Sequence, residues 1–368
     1  MSHSPDSRIL EKSRRRHRLS FNPIHKRPLL PAQSCYHAAV VRATQTEIEE
    51  AVEALRAGEL VVFPTETVYG LGANASNPAA VRKIFEVKGR PADHPVIVHL
   101  DDPRYLHRWV SSLPPVAEQL AARFWPGPLT LILPKADNVN DIVTGGQDSI
   151  GIRVPSHPIA QQLLNAFGGG IAAPSANRYG RLSPTKPEHV RDELGASVGV
   201  ILDGGDSPIG LESTIVSCLG NEARLLRPGY ITRSQLEQVV GPLAAGGNAP
   251  RSPGGLRVHY APSTPLEIID SDDLEVRAEE ITGRQEKVAV LAMRPPLQTQ
   301  RHMTWINAGK RPDIYAHNLY NHLRTLDRAG CARIFVQNLP QDERWAAILD
   351  RLQRASGMGN DALEFSVS

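Results

Sequence analysis

From about Ala43 onward the chain alternates between stretches with an apolar residue every three or four positions and short runs that are apolar throughout. Ile48, Val52 and Leu55 form the first stripe at helical spacing. Thr46 followed by Glu49 has the form of a capping box, and Gly58 is placed to end the helix. "ELVVFP" then reads as a buried strand. "PAAVRKIFEV" predicts a helix with Pro78 in its first turn, "PVIVHL" a strand and "PPVAEQLAARF" another helix. Strand-like runs follow in "LTLILP", "SIGIRVP", "GIAAPSA", "VGVILDGG" and "STIVSCL", with "PIAQQLLNAF" a helix among them. Helices interleaved with short apolar strands predict an α/β or α+β sheet domain over residues 43–240.

Residues 241–263, "GPLAAGGNAPRSPGGLRVHYAPS", carry no periodicity and are rich in Gly and Pro, the composition of a linker. Beyond them the pattern restarts over 264–356. Strands are expected in "LEIID", "VAVLAM" and "ARIFVQNL", and helices around "IYAHNLYNHLRTLDRA" and "RWAAILDRLQRA". That is a second, smaller α/β domain, followed by a tail at 357–368. It has no G-x-G-x-x-G, so a dinucleotide role is unsupported. No internal repeat relates the two halves.

Composition adds little until its distribution is considered. With 41% hydrophobic and 22% charged residues the chain falls in the soluble globular class. The net charge of +2 conceals a basic arm at 1–42: its first 30 residues hold eight Lys/Arg against Asp6 and Glu11. Without helical periodicity, this arm is expected to be disordered, either a solvated tail or a nucleic-acid-touching or targeting segment. It lacks the apolar core of a secretory signal. Cys35, Cys218 and Cys331 are odd in number and far apart, so neither a disulfide framework nor a cysteine zinc site is indicated. A cytoplasmic location is the expectation. The longest uncharged stretch, 154–177, is interrupted by three consecutive glycines and by prolines and is no membrane helix.

The candidate chemistry begins at "FPTETVYGLGANA", where an apolar run stops at Thr-Glu-Thr and a glycine turn is expected. No Gly-Lys-Ser/Thr follows, which excludes a P-loop. Polar pairs recur at spacing i, i+2: Thr65 with Thr67, Lys88 with Arg90, and Ser175 with Asn177. In extended backbone such pairs face one way. Thr65 and Thr67 would then face a small ligand, with Glu66 turned to the other side. Arg90 precedes Pro91, which biases it towards extended geometry, and two like charges aimed together call for an anion such as phosphate. The alternative is a solvated basic face at a helix end. Ser175, Asn177, Ser183 and Thr185 cluster around Gly180 and offer neutral donors to phosphate, or make an ordinary Ser/Asn turn. Arg153 and Arg227 each stand in an apolar strand with no acidic neighbour in sequence. Each therefore needs a ligand anion or a distant carboxylate. His99 in "VIVHL" has the setting of a core or edge histidine. There is no H-E-x-x-H and no G-x-S-x-G, and an aromatic content of 5% gives no evident base-stacking platform.

Eight segments in fixed order carry a resemblance: "FPTETVYGLGANA", "KGRPADHPVIVHL", "WPGPLTLIL", "GIRVPSHP", "APSANRYGRLSPT", "GLESTIVS", "LLRPG" and "SPGGLRVHYAP". Over about residues 44–355 the sequence resembles the threonylcarbamoyl-AMP synthase family in its long, two-domain form. The resemblance implies a YrdC-like twisted mixed sheet with a concave basic face and a smaller C-terminal Rossmann-like domain. It also implies a nucleotidyltransferase that converts L-threonine, bicarbonate and ATP, with Mg2+ carried by ATP, to threonylcarbamoyl-AMP and pyrophosphate. The product would serve t6A modification at adenosine 37 of tRNAs reading codons that begin with A, reaching tRNA through a threonylcarbamoyl transferase complex. By the same resemblance Thr67, His99, Arg153 and Ser213 belong to the threonine pocket. Lys88, Arg90, His94, Thr130, Ala173, Ser175, Asn177, Ser183 and Arg227 would line the ATP site, Lys88 and Arg90 being catalytic. His259 would reach from the linker to cover the nucleotide. Three positions depart from the family pattern: His94 where Asn is usual, and Gly255 and Leu256 where the linker commonly has Met and a basic residue. A competing class is an RNA-binding module, for which RNA binding without threonine-dependent pyrophosphate release would speak.

Overall fold

The computed structural model describes residues 43–246, 249–255, 258–298 and 301–358. The basic arm with Cys35, most of the tail, and Leu256 lie outside the described residues. In chain order the elements are α1 Gln45–Arg56, β1 Val61–Phe63, β2 Gly70–Asn74, α2 Pro78–Lys88, β3 Ile97–His99, α3 Pro115–Phe124, β4 Leu129–Pro134, α4 Asp141–Thr144, β5 Ser149–Arg153, α5 Pro158–Phe167 and β6 Ile171–Ala172. There follow α6 Pro187–Leu194, β7 Val200–Ile201, β8 Thr214–Ser217, β9 Arg224–Arg227, α7 Arg233–Val240, β10 Leu266–Ile269, α8 Leu274–Thr282, β11 Val288–Ala292, β12 Met303–Asn307, α9 Pro312–Asp327, β13 Arg333–Gln337 and α10 Ala346–Ala355.

Helix ends follow local chemistry. Thr44 and Glu47 make the capping box of α1, two residues before the pair expected from sequence. Asn77 caps α2 ahead of Pro78, and Gly89 ends it in the left-handed region at φ 63. The chain's first sheet is mixed and nine-stranded, in the order β7-β1-β2-β6-β3-β5-β4-β8-β9. β2 corrects the sequence reading, which expected a glycine turn there. "GLGAN" pairs antiparallel with both β1 and β6 inside the sheet. Gly72 is glycine for close approach: a Cβ at that position would lie 2.9 Å from both Ile171 Cγ2 and Phe63 Cε1.

Strand register sets up the site. In neighbouring β3, β5 and β4, His99 pairs with Arg153 and Arg153 with Thr130. Further along, Thr130 pairs with Ile215 of β8, and Ile215 with Arg227 of β9. Four polar residues far apart in sequence thus stand near one end of the central strands.

The second sheet is four-stranded and parallel throughout, in the order β10-β13-β11-β12. Its core continues into the first sheet's domain: Val68, Leu182, Ile209 and Leu211 share one buried cluster with Leu319, Leu323 and Leu352. Among the described residues no helix is long and apolar enough to cross a membrane.

Candidate functional site

The polar ends of the central strands open into a narrow cavity of about 50 Å3. Its lining includes Thr65 and Thr67 after β1, His99 and Arg153 from the sheet, Ala173 and Ser175 after β6, and Ser213 and Arg227 beside β8 and β9. Arg90 faces it, and Pro253, Gly254, His259 and Tyr260 close it from the segment between the domains. A larger cavity of about 500 Å3, around Tyr105, Trp109 and Gly168–Gly170, contains none of the residues singled out from sequence. Charge marks the smaller cavity: among the described residues three arginines line it, against one carboxylate, Glu212.

One end is built on Arg153. Its Nη1 donates to Thr67 Oγ1 at 2.8 Å, its Nε to the Gly127 carbonyl at 3.3 Å, and its Nη2 lies 2.7 Å from Glu66 Oε1. The arginine therefore has a carboxylate partner, which the sequence reading did not find. Glu66 also accepts from the Ser156 N–H at 3.1 Å, and so braces β5 from behind the cavity. The backbone at Thr65–Thr67 is a turn, not the extended strand that the i, i+2 argument assumed. Thr65 Oγ1 donates to the Val68 carbonyl at 2.6 Å and accepts the Val68 N–H at 3.2 Å. This local closure brings the two threonine hydroxyls within 2.8 Å of each other. His99 is buried, edge-on to Phe63, and its Nδ1 has no partner. Burial, reinforced by the Arg153 charge, pushes its pKa down to about 3, so the ring is neutral at neutral pH.

The other end is cationic. Lys88 and Arg90 do not form the extended pair expected from sequence. Lys88 is the last residue of α2, and Arg90 follows the left-handed Gly89. Lys88 Nζ donates to the Ser175 carbonyl at 2.6 Å and to the Asn177 carbonyl. Arg90 Nη2 donates to the Pro95 carbonyl at 2.8 Å, while its Nε is buried without a partner. Burial first, and then the neighbouring Arg90, lower the Lys88 pKa well below its usual range. Arg227 donates from Nε and Nη2 to the Ser213 carbonyl at 3.1 and 3.0 Å, and from Nη1 to the Pro253 carbonyl at 3.0 Å. It thereby ties the covering segment to the sheet.

Several residues expected in the lining stand one layer back. Thr130 reaches the cavity through Ser213, its hydroxyl 2.8 Å from Ser213 Oγ. Asn177 Nδ2 donates to the Arg178 and Arg181 carbonyls at 2.7 and 3.0 Å and shapes the loop. Ser183 is fully buried and donates to Glu212 Oε1 at 2.5 Å, so its proton is not offered to a ligand. His94 Nδ1 pairs with the Tyr179 hydroxyl at 3.0 Å, outside the lining. Tyr179 in turn lies edge-on to His259, 6.3 Å between ring centres. His259 is buried and stacked edge-on against Tyr260 at 4.0 Å. Gly255 is exposed and donates to the Ser252 carbonyl at 3.3 Å, a local turn. Sequence reasoning missed Glu212 and Tyr260, although an acid beside Ser213 in "GLESTIVS" and an aromatic beside His259 were available signals.

Comparisons with known proteins find relatives over most of the chain. Residues 53–229 match the Sua5, YciO and YrdC family model, described as telomere recombination, and residues 231–357 match the model for the threonylcarbamoyl-AMP synthase C-terminal domain. Over 322 residues the chain is 42% identical to the threonylcarbamoyl-AMP synthase of Bacillus subtilis (strain 168), covering 84% of this chain and 93% of that one. It is 38% identical over 327 residues to the Pyrococcus abyssi enzyme of the same name, covering 86% and 96%. The crystal structure of P. abyssi Sua5 complexed with L-threonine superposes with a TM-score of 0.79 at 37% identity, over 84% of this chain and 94% of that one.

Proposed function

The chain belongs to the threonylcarbamoyl-AMP synthase family, and from that premise we propose that it condenses L-threonine, bicarbonate and ATP to threonylcarbamoyl-AMP and pyrophosphate. One observation carries the reading: three arginines and a ring of hydroxyls converge on a cavity whose single lining carboxylate is already engaged. Such a surface suits a ligand set rich in anionic oxygen. The solved relative with L-threonine supports the amino acid as one of those ligands.

Threonine's carboxylate would sit against Arg153, with Thr67 beside it. His99 is too weak a base at its depressed pKa to deprotonate an ammonium group, so it serves as a neutral hydrogen-bonding wall. The amine and bicarbonate combine to a carbamate with loss of water. A carbamate oxygen then attacks the α-phosphorus of ATP, and pyrophosphate leaves. The nucleophile comes from the substrates, so the protein supplies position and positive charge, the former alone contributing up to roughly 7–11 kcal/mol in favourable cases. Lys88, Arg90 and Arg227 would neutralise the phosphates, Lys88 chiefly by fixing the Ser175–Asn177 backbone. Mg2+ would enter with ATP and neutralise phosphate charge. Glu212 is committed to Arg351, Tyr320 and Ser183 and leaves the ion to the phosphates. The covering segment around His259 would shield a carbamate that hydrolyses in open water. The product would pass, in the cytoplasm, to a threonylcarbamoyl transferase complex for t6A formation at position 37 of tRNA.

The test is pyrophosphate release from Mg-ATP by the purified chain. Release is expected only when threonine and bicarbonate are both present; release indifferent to either would reject the proposal.

A further inference from the structure

Glu212 stands where the two domains meet the cavity. Its Oε1 accepts from Ser183 and, at 3.0 Å, from the Tyr320 hydroxyl. Its Oε2 accepts from Arg351 Nε at 2.7 Å. Tyr320 lies on α9 and Arg351 on α10, so a carboxylate next to Ser213 is held chiefly from the other domain. Arg351 is fully buried; its Nη1 donates to Asp350 at 2.5 Å and to the Pro228 carbonyl at 3.1 Å, one residue beyond Arg227.

The same helix supports the cover. The Arg351 guanidinium lies 5.0 Å from the centre of the Tyr260 ring, and the Arg354 carbonyl accepts the His259 N–H at 3.3 Å. Tyr260 adopts φ 59, the left-handed region, which a bulky residue keeps only where its surroundings enforce it. Those surroundings are Arg351 on one side and Arg227, whose Nη1 lies 3.4 Å from the Tyr260 hydroxyl, on the other. An apolar junction already joins the domains through Leu182, Leu211, Leu319 and Leu352. A buried ion cluster is a weak source of net stability, and its better-attested use is to fix one arrangement.

We propose that Glu212 is a positioning residue: anchored by Tyr320 and Arg351, it holds Arg351 under Tyr260 and thereby fixes His259 and Tyr260, with Pro253 and Gly254, in their closed place over the nucleotide end of the cavity. The C-terminal domain then acts on the reaction through this junction, without a side chain in the lining among the described residues. The idea rests on the adenylate-forming reading for its kinetic consequence but not for its structural one.

The experiment compares the full-length chain with Glu212→Gln and with the double variant Glu212→Gln/Arg351→Met, which removes both buried charges together and keeps the test available if the single variant fails to fold. Steady-state pyrophosphate release gives KM for ATP and for threonine. Tryptic cleavage after the exposed Arg251, with no substrate present, reports opening of the covering segment. Losing a hydrogen bond to a charged group predicts that KM for ATP rises about 10- to 100-fold. KM for threonine should stay within about twofold, because the Arg153 end is untouched. Cleavage after Arg251 should accelerate well below the melting temperature. Unchanged cleavage and an unchanged KM for ATP in a folded variant would overturn the proposal. So would an equal loss for both substrates in proportion to the unfolded fraction, the signature of a merely structural role. If the wild-type chain releases no threonine-dependent pyrophosphate, the catalytic reading falls, and the cleavage rates alone still decide whether Glu212 holds the cover.

Discussion

The cavity wall and the domain junction behind it both bury arginines, and they treat them in opposite ways. At the junction Arg351 and Arg354 face Asp350 and Glu212, with short ion pairs among them. Along the wall Arg90, Arg153 and Arg227 face Glu66 behind Arg153 and a Glu212 already taken by Arg351, while Lys88 rests on backbone carbonyls. One region has its charges matched within the chain, and the other carries a surplus of positive charge. Burying unmatched charge is costly, so a surplus of this kind points to anionic ligands, whereas a matched cluster points to architecture. Size gives the opposite ranking, because the roomier cavity near Trp109 holds none of these cations.

The comparison breaks first if Lys88, which stands behind the wall and holds its Ser175 backbone, can be removed without consequence. Lys88→Ala is expected to lower threonine-dependent pyrophosphate release by more than about 100-fold, since Lys88 holds both the Ser175 and Asn177 carbonyls. Near-normal turnover in a folded variant would place the surplus charge outside the chemistry.

A pair of stability measurements sharpens the contrast. Asp350→Asn leaves Arg351 and Arg354 without their shared carboxylate and is expected to cost about 3–5 kcal/mol in denaturant unfolding. Arg90→Met removes a charge whose Nε has no partner and whose pKa burial has lowered to about 10; stability should hold or rise while KM for ATP increases. Equal destabilisation by the two changes would erase the distinction between the regions.

The smallest effect is in pH dependence, where the sign is the same in the two regions and the pH window differs. His99 and His259 are held to about 3 by burial first, against an ordinary 6.5. Their folded-state pKa values are depressed, so the stability they contribute is complete above pH 6.5 and is lost as pH falls towards 3. Burial would raise the Glu212 pKa, but Arg351 and then Arg227 outweigh it and hold it at about 2 against 4.5. Its contribution is complete above pH 4.5 and lost between there and 2. Chemical unfolding against pH should therefore flatten between 6.5 and 3 in His99→Gln, and only below 4.5 in Glu212→Gln.

Part of the wall was legible in the sequence because charged residues interrupting apolar strands are conspicuous. Arg153 and Arg227 stand out this way, and Thr67 by the Thr-Glu-Thr that ends an apolar run. His99 has the setting of a core histidine, and only the resemblance assigned it to the site; all four line the cavity. The alternation of helices and strands likewise gave an α/β or α+β sheet domain, and the resemblance its mixed sheet. Local pattern failed where distant contacts decide. β2 looked like a turn because its glycines answer to Ile171 and Phe63, about a hundred residues away in one case. Helices α6, α7 and α8 and strand β12 went unread, their apolar faces being short and, at α7 and β12, half exposed. The i, i+2 rule misjudged Lys88 and Arg90 because a helix end and a left-handed glycine intervene. Glu66 and Glu212 were overlooked as partners because their arginines lie 87 and 139 positions further along, and register brings them together only in the folded sheet and at the junction.

The most direct test of the surplus-charge account is a crystal structure of the full chain with L-threonine and a non-hydrolysable ATP analogue. The account predicts the threonine carboxylate on Arg153 and the triphosphate between Arg90 and Arg227, beneath His259. Ligands seated in the larger cavity beside Trp109, or a wall that stays unliganded at saturating concentration, would contradict it.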